Sequence, residues 1–375
     1  MSTRFWVFFD TSTLLDYYQD VHNCLAMPAG SILRYEYRTK RISEECLAAI
    51  RSGSMGQVLI VYAQERMFAR GAATPTLTPQ FEEMVWVAMR IAELVHVQQN
   101  GDVYLFDLKL GEYPKHSPVQ LGEIVNSLHA KGESPFSKWV ALSERVEILD
   151  ALREGTDREN WQNIVNTIGL PPYQFRGDSF WRLDGPYAAR GKALPPQVKQ
   201  SMVEGRVVRL DSEYVVDEGK RLSFHLHVYT PKTDAPSESA SPQRQVLIAQ
   251  KEGEALAVVF PDSVVLRPYT EADVTIKSKL FEQLETQSNR LRFSTTPPNG
   301  DWPSGANFDL RFTVQKNRWR LVGGLAMLIS GVTFAAYAQI ESLDSWVKVV
   351  GTVAGAVFAM VGGVLLWRKI GISVG

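Results

Sequence analysis

The chain has 375 residues, with 40 Lys+Arg against 41 Asp+Glu, a formal net charge of −1, and two cysteines, Cys24 and Cys46. That length suits two or three domains, and the near-neutral balance excludes a protein that coats nucleic acid by bulk charge, while leaving room for a local basic stripe. Two cysteines cannot build a disulfide framework, so a reducing compartment is expected.

In chain order, residues 5–9 (FWVFF) and 31–38 (SILRYEYR, opened by Pro28 and Gly30) read as short strands. Ser43, with Glu44 and Glu45 behind it, caps a helix through Ile50 that the glycine-rich SGSMG ends, and 57–63 (QVLIVYA) returns as a buried strand. After a Thr-, Pro- and Ala-rich loop at 70–80, the segments 84–98 and 103–110 flank Asn100-Gly101, the strongest short-range hairpin signal in the chain. Residues 1–114 are therefore expected to form a small mixed unit dominated by antiparallel strands.

Between 117 and 169, three stretches place apolar residues at helical intervals and end at Gly132, Gly155 and Gly169, which predicts three short helices. Pro171-Pro172 then opens a stretch up to Pro196 that reads as irregular chain, and the helical connector is set at 115–190. From 206 to 314, short apolar runs separated by turn residues indicate a β-sandwich-like domain, set at 191–316. Within it, 270–289 stays open between strand and helix, because Thr270 and Asp273 resemble a cap and Leu280, Phe281 and Leu284 share a helical face. The tract 231–244 is too polar to pack and reads as a flexible loop.

The carboxyl-terminal part, 317–375, is read as a transmembrane helical hairpin. The runs 321–340 and 349–367 carry no charge, and about 20 apolar residues suffice for one crossing. Trp319, Tyr337, Trp346 and Trp367 fall where an aromatic belt would lie. Lys316, Arg318 and Arg320 precede the first span and Arg368 and Lys369 follow the second, while the connecting loop carries Glu341 and Asp344 against Lys348. Both ends are thus expected on the cytoplasmic side of an inner (plasma) membrane, in a multi-pass arrangement. The first fifteen residues hold Asp10 and no signal-length apolar run, so the first 316 or so residues are expected in the cytosol. Gly351, Gly355, Ala359 and Gly363 form a four-residue stripe that admits another helix backbone, either the first span with its Gly324, Gly331 and Ala335 or a second copy of the chain.

Catalytic signatures are missing: there is no Walker A loop, no GxGxxG, no HExxH, no CxxC and no GxSxG. Four weaker constellations remain. Arg34, Tyr35, Tyr37, Arg38, Lys40 and Arg41 interleave bases and aromatics as a phosphate- and base-binding strand would, or form a solvated face over core tyrosines. Arg176 and Arg182, with Arg190, lie among Tyr173, Phe175, Phe180, Trp181 and Tyr187, a composition enriched at interfaces, so the stretch is either a partner or ligand surface or a set of aromatics sealing the join between two domains. His225 and His227 point the same way on a strand, yet no further metal ligand is close in sequence. Glu93, His96, Asp102, Asp107 and Glu112 spread over one hairpin, where strand alternation puts several of them on opposite faces and a shared site is not expected. No catalytic residue, metal or cofactor is assigned.

The expected fold is an α+β multidomain chain: an amino-terminal antiparallel β/α unit, a helical connector, a β-sandwich-like domain and the two-helix hairpin. Only about six residues separate the last strand, ending at Val314, from the first span. In architecture, these two spans, the small-residue stripe and the short joint resemble the membrane-acting effectors of prokaryotic antiviral defence. The resemblance implies a sensor or effector subunit that binds a nucleic acid, nucleotide or protein trigger and acts on the lipid bilayer as a homo-oligomer or part of a complex. A passive scaffold anchor and a tethered nuclease or hydrolase are the alternatives.

Overall fold

The structure is a computed structural model that describes residues 5–10, 15–53, 56–65, 84–115, 140–142, 152–169, 179–203, 206–231, 245–267, 269–279, 286–295, 305–316, 318–337 and 344–370. It is a mixed α/β protein, mostly strands in three sheets, with five α-helices among the described residues.

The first sheet contains β1 (Phe5–Asp10), β2 (Ile32–Arg38), β3 (Gln57–Glu65), β4 (Met84–Asn100), β5 (Val103–Leu110) and β6 (Val140–Leu142), in the order β2-β5-β4-β3-β1-β6. Only the β1–β3 pairing in it is parallel. The β4–β5 hairpin turns at Gly101, whose φ of 64° is in the left-handed region that glycine enters without strain. Helix α1 (Leu15–Ala26) was not anticipated, although Val21, Cys24 and Leu25 bury one face at helical spacing. Helix α2 (Glu44–Arg51) starts as expected, with Ser43 Oγ accepting from the Cys46 N–H at 3.3 Å.

Of the three expected connector helices, the first lies outside the described residues. The second is corrected at 140–142, which pair antiparallel with β1; that pairing satisfies an open sheet edge, a gain that local periodicity does not register. The third is helix α3 (Asp157–Ile168), opened by a capping box of Thr156 and Glu159. Its face of Trp161, Ile164, Val165 and Ile168 is fully buried.

Ten strands follow: β7 (Phe180–Tyr187), β8 (Gln197–Val203), β9 (Arg206–Asp217), β10 (Arg221–Tyr229), β11 (Gln245–Glu252), β12 (Leu256–Phe260), β13 (Ser263–Val265), β14 (Glu271–Ser278), β15 (Gln287–Thr295) and β16 (Asn307–Gln315). They build a four-stranded sheet, β12-β14-β10-β7, and a six-stranded sheet, β13-β11-β15-β16-β9-β8. Strand β7 corrects the irregular reading of 171–196, where proline and glycine around it hid the buried Phe180, Trp181 and Leu183. Residues 271–278 settle as strand, not helix, because burial alternates through Val274, Ile276 and Ser278. The polar tract 232–244 lies outside the described residues.

Aromatic side chains join the two sheets: Phe224 meets Phe293 at 5.8 Å and Phe312 at 6.3 Å, Trp181 stacks on Phe308 at 5.5 Å, and the Trp181 indole N–H donates to Thr295 Oγ1 at 2.8 Å. Helix α1 ties this layer to the first sheet. Its His22 ring stacks on Phe180, and Asn23 Oδ1 accepts from the Asn307 N–H at 2.8 Å.

After β16, helix α4 (Arg318–Tyr337) begins, and helix α5 (Ser345–Ile370) packs against it. Within α5, Ser345–Gly363 is long and apolar enough to cross a membrane; the described apolar part of α4, Val322–Tyr337, is shorter. The backbones touch through glycine. A Cβ on Gly331 would lie within 2.9 Å of Ala359 backbone atoms, one on Gly355 would lie 2.7 Å from Ala335 N, and one on Gly362 would lie 2.5 Å from Leu328 N. Val332, Phe334, Val349, Val353, Val357 and Met360 face outward.

Replacing Phe224, fully buried where the two sheets meet, by alanine should cost about 3–5 kcal/mol, read as an earlier urea midpoint for the detergent-solubilised protein.

Candidate functional site

The basic strand read from sequence is β2, and the structure separates its parts. Tyr35 and Tyr37 are buried against Phe8, with ring centroids 4.3 and 4.7 Å away, so neither ring can stack a base from outside. Arg34 forms a bidentate pair with Asp107, Nε to Oδ1 at 2.6 Å and an Nη to Oδ2 at 2.8 Å. Arg38, Lys40 and Arg41 stay exposed at the strand end and in the turn Thr39–Arg41. The tyrosines and the basic residues thus lie on opposite faces, as strand alternation requires, and are divided between core, ion pair and surface.

Asp107 gathers groups that alternation was expected to keep apart. A β-bulge between Leu94 and His96 shifts the register of β4, setting His96 directly opposite Asp107, with Nδ1 3.0 Å from Oδ2. The same carboxylate accepts from the Leu210 N–H of β9 at 3.0 Å, which docks the six-stranded sheet on the first. Asp107 is completely buried, and its charge is met by groups from three strands other than its own. Of the other residues in that constellation, Glu93 pairs in register with Lys109 and Asp102 sits in the hairpin turn, both away from Asp107.

A second polar knot surrounds Tyr113. The Arg90 guanidinium lies 3.8 Å from its ring centre and Arg182 lies 5.5 Å away, with Arg182 also 5.5 Å from the Trp161 ring. Burial pushes the Tyr113 phenol up to about 12, so the ring stays neutral, and its O–H donates to Leu25 O at 2.6 Å. Arg182 is 5% exposed; it donates to Asp157 O and to Asp184 Oδ2, each within 2.9 Å. It is structural glue between α3 and β7, not an open ligand arm, and Arg176 lies outside the described residues.

The outer face of the four-stranded sheet continues from there. His227 Nε2 is 3.1 Å from Asp184 Oδ2 and its Nδ1 is 3.4 Å from Glu271 Oε1, which also receives Arg158 from α3. His225 bonds Asp273 across the strands. The two histidines do share a face, but His225 is taken by Asp273 and His227 by Asp184 and Glu271, and no group of three or more such side chains with a geometry that could hold a metal ion occurs among the described residues. None of this cluster's members is a hydroxyl or thiol. The arrangement clamps helix to sheet rather than activating a nucleophile.

In the helix pair, Gly355 and Ala359 of α5 pack against α4, Gly351 is half-buried, and a Cβ on Gly363 would meet nothing within 4 Å; Gly362 makes the close approach instead. Steps of four advance about 40° beyond a full turn each, so the stripe drifts off the contact by its fourth member. The seven-residue step from Gly355 to Gly362 falls only about 20° short of two turns.

No protein-family model matches the sequence, and no curated protein matches it. Weak likenesses among solved structures include the CsuC-CsuE chaperone-tip adhesion subunit complex from Csu pili of Acinetobacter baumannii, at 8% identity over 28% of this chain and 48% of that chain, TM-score 0.20. WR4, a C. elegans MSP family member, is 10% identical over 28% of this chain and 92% of that one, TM-score 0.18. The N-terminal domain of PorA is 16% identical over 32% and 97%, TM-score 0.18. At these TM-scores none bears on fold or function.

Burial pushes the Asp184 carboxyl up, but the hydrogen bonds and charges of His227 and Arg182 outweigh it and hold the group below its ordinary 3.8. Its contribution to stability is complete above 3.8 and is lost as pH falls through the lowered folded value. In His227→Gln, carboxyl NMR should show Asp184 titrating at higher pH than in the native protein, and Asp184→Asn should flatten the acid limb of the stability curve.

Proposed function

We propose that the chain is a membrane-anchored, non-catalytic sensor or effector subunit, whose β-rich body binds a trigger on the cytoplasmic side while the carboxyl-terminal helices span the inner membrane as a hairpin. The observation that carries this reading is the joint. Strand β16 is an interior strand, bonded to both β9 and β15, and only Lys316 and Asn317 separate it from α4. A two-residue joint is too short to act as a slack tether, so displacement of the six-stranded sheet moves the helix pair. The two packed sheets then form a sandwich-like recognition body. With Tyr35, Tyr37 and Arg34 engaged inside the fold, a protein trigger suits it better than bases or phosphates on β2.

A second reading, the anchored scaffold, is favoured by one fact: the glycine face of α5 is already filled by α4 of the same chain, so it is not free to cluster copies. A flexible ten-residue Gly/Ser insert between Gln315 and Arg318 separates the two. Under the sensor reading, toxicity on expression is lost while membrane retention under alkaline carbonate persists. Under the scaffold reading, the insert changes neither.

The hairpin geometry makes its own prediction. Gly355→Ile should force α4 and α5 apart and lower the thermal midpoint in detergent, whereas Gly363→Ile should leave it unchanged.

A further inference from the structure

Along the outer face of the four-stranded sheet, the cross-strand partners of β10 and β14 run His227–Glu271, His225–Asp273, Ser223–Thr275 and Arg221–Lys277. The first two are complementary and the third is neutral. The fourth sets two exposed cations opposite each other, an arrangement that destabilises a sheet unless an anion lies between them. Exposed Lys220 and Lys279 flank the pair, and among the described residues none of the four is in an ion pair.

This end of the sheet is the end at the root of α4. The Glu218 N–H donates to Gln315 O at 2.8 Å, at the last residue of β16. The turn that follows is bolted to β14 by buried Ser278, whose Oγ accepts from the Lys220 N–H at 2.9 Å and donates to Asp217 O at 2.8 Å. Three acidic groups nearby are occupied: Glu218 is buried, Asp217 accepts from Gln315 Nε2, and Glu252 pairs with Arg290; exposed Glu254 precedes Ala255, whose carbonyl accepts from the Lys279 N–H at 2.7 Å, and leaves the four cations in excess. Lys316, Arg318 and Arg320 continue the basic run into the helix.

We infer that Lys220, Arg221, Lys277 and Lys279 form a docking surface for the headgroup phosphates of anionic phospholipids, which holds the soluble body against the leaflet that α4 enters. The inference rests on the membrane-anchored reading. It adds a lipid preference and a fixed orientation, with the Asp184–His227–Glu271 end of the same face, six residues or roughly 20 Å along β10, turned away from the bilayer. Cations at an anionic leaflet each strengthen contact about five-fold at physiological salt, and the effect fades as salt shortens the screening length.

The test uses the full chain in nanodiscs of phosphatidylcholine alone or with phosphatidylglycerol, with hydrogen exchange followed by mass spectrometry over 217–221 and 277–279. Exchange there should be at least about five-fold slower in the anionic discs, and the difference should vanish at about 1 M salt. The variant K220Q/R221Q/K277Q/K279Q should lose the difference while keeping its thermal midpoint. Equal exchange of the native protein in both discs overturns the lipid surface, as does protection by inorganic phosphate in neutral discs. A protein that alkaline carbonate strips from vesicles of either composition overturns the membrane reading itself, a failure seen before any lipid comparison; should the variant not fold, the salt titration of the native protein still decides.

Discussion

A fully buried carboxylate organises this protein. Asp107 has no exposure to water, and moving an ionised carboxyl into such a site costs several kcal/mol unless donors replace its hydration. The donors come from β2 through Arg34, from β4 through His96 and from β9 through the Leu210 backbone. Hydrogen bonds to a charged group contribute about 1.5–3 kcal/mol each, so the set roughly offsets the burial. What it gains is specificity. The bulge at Leu94–His96 has to persist, β2 has to keep its register with β5, and the six-stranded sheet has to dock where Leu210 reaches the carboxylate. An apolar residue in place of Asp107 would impose none of these conditions.

The knot at Tyr113 is the second point at which separate elements become one body. Two guanidinium groups share the neighbourhood of one neutral ring, and their mutual repulsion is held off by the oxygens of Gly111, Cys24, Asp157 and Asp184. Those acceptors belong to α1, the segment after β5, the first turn of α3 and β7. The α3 helix is therefore fixed at its amino end by polar contacts and along its length by Trp161, Ile164, Val165 and Ile168. Such double fixation locks α3 against β7 and the segment after β5.

Local signals were legible in the sequence and non-local ones were not. The Ser43 cap, the buried run of β3 and the Asn100-Gly101 hairpin each depend on residues within a few positions of one another, and each is found in the structure. The strand at 140–142 was read as helix because its stabilising partner, β1, is more than a hundred residues away. Strand β7 was hidden by flanking glycine and proline. Most tellingly, alternation made a shared site among the five hairpin residues improbable, and it is a register shift between Leu94 and His96 that sets His96 opposite Asp107. The burial of Tyr35 and Tyr37 beside Phe8 was readable as one of two alternatives; the bidentate partner of Arg34 needed the β2–β5 register.

The helix pair shows why a stripe of small residues does not by itself specify a partner. Gly331, Gly355 and Gly362 are spaced so that each backbone enters the other's groove along one line, and nothing larger than hydrogen fits at any of the three. Once α4 occupies that line, α5 offers a second copy mainly valine, phenylalanine and methionine, side chains that lipid tails solvate equally well. The small residues of α5 are accounted for within the chain, so the stripe alone is no evidence for a second copy.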